Sequence, residues 1–250
     1  MTVQRTSAVD STAGAGRPGV TTLTPLTARA AAVIAGWSYV AILVLAVFGN
    51  LAVSSLLVVD EPRRTLDDLA GAGALLRLGT AALLVVCVLD VVVAWGLHSV
   101  LAAVDHRASV LAAWLRVTFA AIMTVAVAAL VVLGSVATGS GPGVAFDGAD
   151  RAGQTVLLGS VFFSTWTVGL LLFGIHLVVV GALVVRARVA PRLLGWLLVA
   201  AGLGYCLNTF ARILLPDYAA LEPVFLAIYG LPSFTGELWL ALWLVRRAAR

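Results

Sequence analysis

A chain of 250 residues that is 62% hydrophobic and only 11% charged has about half the charge density of a soluble domain. A soluble globular fold is therefore excluded, and the number of apolar runs sets the architecture. The formal charge of +4 rests on sixteen basic residues, all of them arginine; they cluster at the ends of apolar runs rather than in a basic stripe, which argues against a nucleic-acid partner.

Residues 1–29, rich in Ser, Thr, Gly, Ala and Pro, read as a disordered cytoplasmic tail. The apolar run that follows is too long for the core of a signal peptide. Six runs of span length then predict transmembrane helices at about 30–58, 76–98, 110–134, 156–185, 192–215 and 223–245. The clearest breaks are EPRR (61–64) and GSGPG (139–143). Cys87 and Cys206 lie inside apolar runs and read as two separate buried thiols. No zinc-type spacing accompanies them.

Orientation follows from arginine placement. With the N-terminus inside, ten arginines fall in cytoplasmic segments: 5, 17, 29, 107, 186, 188, 192, 246, 247 and 250. Three, Arg63, Arg64 and Arg151, fall outside. The expected fold is an all-α membrane protein with six transmembrane helices and both termini cytoplasmic. Trp37, Trp95, Trp114, Trp196 and Trp243 then lie toward cytoplasmic span ends, as an aromatic belt does.

Depth along each span, at about 1.5 Å per residue, sorts the buried polar residues into two layers. Asp90, Arg116, His176 and Glu237 come from four different spans and fall about 4–9 Å to the cytoplasmic side of the midplane. Small residues share their faces: Gly79 and Ala94 with Asp90, Ala112, Ala113 and Ala120 with Arg116, Gly169 with His176, and Gly230, Ser233 and Ala241 with Glu237. Small residues let helices approach in lipid, so these charges should point into the bundle. An ionisable residue at the centre of a span costs about 2.5–3.5 kcal/mol. The ten Leu and Val residues between Leu78 and Val93 return about 3–6 kcal/mol, so the second span inserts despite Asp90.

The outer layer comprises Asn50, Arg77, Tyr205, Asn208 and Arg212. Tyr205, Asn208 and Arg212 form a stripe on one helix face. Tyr39 shares a face with Asn50, and Asp217 or Glu222 could supply an acid to this layer. Pro232, between Gly230 and Gly236, predicts a kink or break just before Glu237.

Enzyme motifs are absent from the sequence: there is no G-x-S-x-G, H-E-x-x-H or P-loop. His98 and His176 differ in depth by about 9 Å, too much for a shared haem, so no cofactor is expected and no metal site. The two halves show no internal repeat of the transporter type.

The stretches LLRLGTAALLVVCVLDVVVAWGL (75–97), LAAWLRVTFAAI (111–122), LLFGIHLVVVGALVVR (171–186), PRLLGWLLVAAGLGYCLNTFARILLPDY (191–218) and GELWLALWLVRR (236–247) together resemble domain of unknown function 4386, a family of bacterial multi-pass membrane proteins. The segment from Pro191 to Tyr218, followed by GELWLALW, is the most specific part. The resemblance implies an integral membrane protein; it brings no activity, cofactor or catalytic residues.

Three functional classes follow. The leading one is a proton or small-solute carrier in the cytoplasmic membrane, centred on Asp90, Arg116, His176 and Glu237, with Glu237 or His176 as the titrating group. The second is a structural or partner-binding protein whose ionic layer specifies packing. The third is a membrane enzyme acting on lipid. The one partner expected from the sequence is the lipid bilayer.

Overall fold

The computed structural model describes residues 27–58, 60–188 and 190–248. Of the expected tail, residues 1–26 lie outside the described residues. The described elements are helical, with no strand among them. Six helices are long and apolar enough to cross a membrane, which makes this a multi-pass α-helical membrane protein. They are α1 (Ala28–Ser54), α3 (Gly73–Leu101), α4 (His106–Ala137), α5 (Gly148–Ala187), α6 (Arg192–Leu214) and α7 (Tyr218–Ala248), with a short helix α2 (Pro62–Gly71) after α1.

Local chemistry sets several of the ends. Thr27 caps α1 by accepting from the Ala30 N–H at 3.2 Å, so the helix starts two residues before the apolar run does. At its other end α1 stops at Ser54, four residues short of the expected 58. The chain there bends back instead: the Thr65 hydroxyl donates to the Val58 carbonyl at 2.9 Å and accepts from the Val58 N–H at 2.8 Å. EPRR marks this break and also opens α2, whose first turn takes Pro62 where a missing N–H costs nothing. Asp105 caps α4 and Asp147 caps α5 through their side chains.

At 40 residues, α5 is about 60 Å long, twice the hydrocarbon thickness. Its first turns run beyond the expected start at 156 and pack against α2, with Ala152 and Thr155 buried there. The break expected at Pro232 does not occur, since α7 runs through both Pro223 and Pro232. Helices in lipid tolerate proline where neighbouring groups make up for the lost backbone bond.

Successive crossings alternate in direction. The start of α1, the α3–α4 turn, the α5–α6 turn and the end of α7 therefore share one face, here termed the terminal face; α2 lies on the opposite face. An ion pair between Arg186 and Asp105 at 3.8 Å joins two of the terminal-face turns. Trp37, Trp95, Trp114 and Trp196 are exposed toward this face, where indoles anchor at a lipid interface. The six long helices form a ring: α1 packs on α3, α3 on α4, α4 on α5, α5 on α6, α6 on α7, and α7 back on α1.

Glycines let these neighbours approach. On α5 and α6, Gly181 faces Gly195 and Gly174 faces Gly202, seven residues apart on each helix. A Cβ on Gly181 would stand 2.6 Å from the Gly195 carbonyl, and one on Gly174 2.6 Å from the Gly202 carbonyl. The ring closes where Gly36 of α1 meets Ala241 and Val245 of α7. Backbone contact of this kind supplies association in lipid, where burial of apolar surface gives no net drive.

Helix α7 packs unevenly. None of residues 219–232 is buried, whereas Ser233, Gly236, Glu237, Leu240, Ala241 and Leu244 all are. Its second half supplies most of its buried contacts to the ring, while its first half meets α6 through Tyr218, Glu222 and Tyr229.

Gly202→Val should separate α5 from α6. The expected loss is about 1–3 kcal/mol, read as a lower melting temperature in detergent. Gly153→Val, where an added Cβ meets nothing within 4 Å, should melt close to wild type.

Candidate functional site

The ring brings one polar side chain from each of its six helices to the same layer: Tyr39 (α1), Asp90 (α3), Arg116 (α4), His176 (α5), Tyr205 (α6) and Glu237 (α7). Arg116 occupies the middle and is fully buried. Its Nε and Nη2 donate to Asp90 Oδ1 at 2.9 and 2.6 Å, and its Nη1 donates to the Tyr39 hydroxyl. The His176 Nε2 lies 3.3 Å from the same Nη1. The guanidinium also stacks over the Tyr39 ring at 4.5 Å and the Phe173 ring at 5.3 Å, a contact that strengthens away from water.

The tautomer of His176 follows from its partners. Its Nδ1 lies 2.8 Å from the Ala112 carbonyl, which can only accept. Nδ1 therefore carries the proton, and Nε2 accepts from Arg116. A doubly protonated ring would set an N–H against the N–H groups of the guanidinium. Both ring nitrogens are thus committed, and His176 does not suit the titrating role that its depth suggested.

Glu237 stands apart from this cluster. Its Oε1 accepts from the Ser233 hydroxyl one turn earlier. Ser233 has a single hydrogen to give, so the Tyr205 hydroxyl, 2.9 Å from Ser233 Oγ, donates to Ser233. The result is a directed chain from Tyr205 through Ser233 to Glu237. Among the described residues Asp90 has an ion-pair partner within 4 Å and Glu237 has none. The Phe173 ring divides the two halves of the layer: it stacks on His176 and meets Tyr205 edge-on at 5.6 Å.

The expected inner residues thus all lie in one layer, with Asp90, Arg116 and His176 in direct contact and Glu237 in a separate hydrogen-bonded chain. The expected outer residues do not form one group. Tyr205 belongs with Glu237 instead. Asn208 is buried and accepts from the Tyr218 hydroxyl at 2.6 Å; Arg212 pairs with Glu222 at 3.4 Å. These two contacts tie α6 to the start of α7, with Glu222 supplying the acid. Asn50 is half-buried on α1 and Arg77 is exposed on α3, both away from that seam.

Tyr39 was grouped with Asn50 by its helix face, yet it binds Arg116. The depth arithmetic applied to it gives about 7 Å on the terminal side of its span, level with Arg116, so the signal was present. Cys87 is buried, Cys206 is half-buried, and both are free thiols. Among the described residues, no three His, Cys, Asp or Glu side chains gather as a metal site would need.

Residues 34–248 match the family model described as Domain of unknown function (DUF4386). The chain belongs to the DUF4386 family. The matched region takes in all six residues of the central layer. A relative of this DUF4386 protein, named "Uncharacterized protein" in Archaeoglobus fulgidus, is 29% identical over 160 residues, which is 64% of this chain and 77% of its own. No solved structure matches.

The two carboxylates of this DUF4386 protein should respond differently to neutralisation. Asp90→Asn leaves a buried guanidinium uncompensated and should cost about 3–5 kcal/mol. Glu237→Gln keeps an acceptor for Ser233 and should cost no more than about 1 kcal/mol, the size of one hydrogen bond. Thermal melts of both variants in detergent check the contrast.

Proposed function

We propose that this DUF4386 protein is a carrier of protons or of a small solute, with the six-helix polar layer as its site and Glu237 as the group that takes up and releases the proton. One observation carries the reading. The layer holds two buried carboxylates, of which Asp90 is spent on Arg116 while Glu237 has only hydroxyl partners. An ionisable residue inside a membrane span is costly, and one without an ion-pair partner contributes little to packing that would explain its presence.

The Tyr205–Ser233–Glu237 chain supplies a means of proton movement. With Glu237 ionised, each hydroxyl donates toward the carboxylate. With Glu237 protonated, its own O–H can donate to Ser233, and Ser233 to Tyr205, so the direction reverses by rotation of hydroxyls alone. Arg116 and Asp90 act on Glu237 through space, so a change in its charge is felt by the central pair.

Arginine distribution supports a placement in the cytoplasmic membrane with both termini inside, since the terminal face carries most of the charges that the positive-inside rule counts. A second reading is favoured by the Asp90–Arg116 contact itself: that pair, with Tyr39 and His176, links four helices and suits a structural role. The two readings divide the layer between them, the cationic half holding the ring and the Glu237 half serving transport.

Reconstituted in liposomes with an internal pH indicator, the wild-type chain should dissipate an imposed pH gradient faster than empty vesicles. Glu237→Gln should reduce that flux by at least about tenfold, in line with loss of an essential proton acceptor. Equal flux in variant and wild type would overturn the assignment of Glu237. No flux above empty vesicles would overturn the proton reading and leave the packing role of the layer.

A further inference from the structure

On the face opposite the termini, α3 and α4 part to form a cavity of about 380 Å³, within the size range of ligand sites. Its wall changes character with depth. Leu84 of α3 with Leu130 and Val131 of α4 form the inner end, and Arg77, Ser135 and Thr138 stand at the outer end. Leu69 of α2 covers it from above.

Position along the helix locates the outer end. Arg77 is ten residues from Cys87, the midpoint of α3, or about 15 Å. Half the hydrocarbon thickness is also about 15 Å, so the guanidinium stands where the acyl region meets the headgroups. The four hydroxyls of the groove are turned to nearby backbone carbonyls. Thr80, Ser135 and Thr138 donate to the carbonyls of Leu76, Val131 and Gly134, and Ser140 donates to the Ser135 carbonyl at 3.3 Å. That leaves Arg77 as the donor available to an occupant. Among the described residues it has no ion-pair partner. The nearby acids, Glu61 just before α2 and Asp67 and Asp68 on it, line a separate cleft facing Ala149 and Ala152 of α5, and Arg64 pairs with Glu61 and Asp68.

We infer that this groove is a binding site for an anionic phospholipid of the leaflet on the α2 face, its phosphate on Arg77 and one acyl chain along Leu84, Leu130 and Val131. A guanidinium offers a phosphate two parallel N–H donors, and the polarity of the wall runs in the same order as that of a lipid. An arginine that only snorkels would meet any headgroup without preference. A cavity with an apolar floor beneath the cation selects a molecule with both parts. Arg77 is about 20 Å along α3 from Asp90 and the inner end of the groove at Leu84 about 9 Å; Asp90 does not line the groove, and the proposal is independent of the carrier reading.

Native mass spectrometry of the full chain in detergent, with dioleoyl phosphatidylglycerol or dioleoyl phosphatidylcholine added, tests it. The expected result is one retained phosphatidylglycerol, preferred over phosphatidylcholine by at least about tenfold. Arg77→Gln should abolish the preference and leave weak binding of both lipids. Ala81→Phe, which fills the groove from its wall, should remove binding of both while the melting temperature stays near that of wild type. Glycerol phosphate should not displace the bound lipid. Equal retention of the two lipids, a preference that survives Arg77→Gln, or displacement by glycerol phosphate would each overturn the proposal, the last by showing a site for a soluble anion.

Discussion

A single guanidinium, buried at the centre of a ring of helices, sets the terms for the rest of the molecule. Arg116 cannot shed its charge, and in hydrocarbon it cannot borrow water. Its four hydrogen-bonding contacts come from three other helices: Asp90 of α3, Tyr39 of α1 and His176 of α5. Each of those helices must present the right residue at the right height and rotation. A shift of one residue in any of them turns a partner about 100° away and leaves a charge unpaired. The cluster thus fixes register in a setting where apolar packing alone is permissive, the role best attested for buried polar groups.

Close approach makes that register possible. The guanidinium spans only a few ångströms, so four helices must come near enough for short side chains to reach it. Glycine seams on α1–α3, α5–α6 and α1–α7 bring backbones together around it, and the rings of Tyr39 and Phe173 lie against the guanidinium. Phe173 also separates the cationic cluster from the Glu237 chain, so that two polar systems share one layer without merging.

Much of this arrangement is legible in the sequence because lipid enforces simple rules. Length and apolarity reveal the six long helices, and rise per residue places Asp90, Arg116, His176 and Glu237 at a common depth. Rotation about each axis is less legible. Tyr39 shares a face with Asn50, and that grouping hid its depth. Tyr205 shares a stripe with Asn208 and Arg212, yet the stripe meets α7 at several heights, so its members find different partners. The overhang of α5 and the short α2 packed on it depend on contacts outside the bilayer, where hydropathy carries no signal. Pro232 illustrates the opposite case: a local rule predicts a kink or break, and the surrounding bundle keeps the helix unbroken.

The partners of Arg116 have one more property in common. Tyr39, Asp90 and His176 all precede α6 in the chain, so on the ribosome the cationic cluster is complete once α5 has been made. Helix α7, the least apolar of the six and the carrier of Glu237 and two prolines, emerges last and buries its side chains mainly in its second half. The order of synthesis therefore gives the nascent chain a satisfied core before its most costly span must leave the insertion machinery. That span then has a preassembled wall, including Tyr205 and the Gly36 notch, against which to settle.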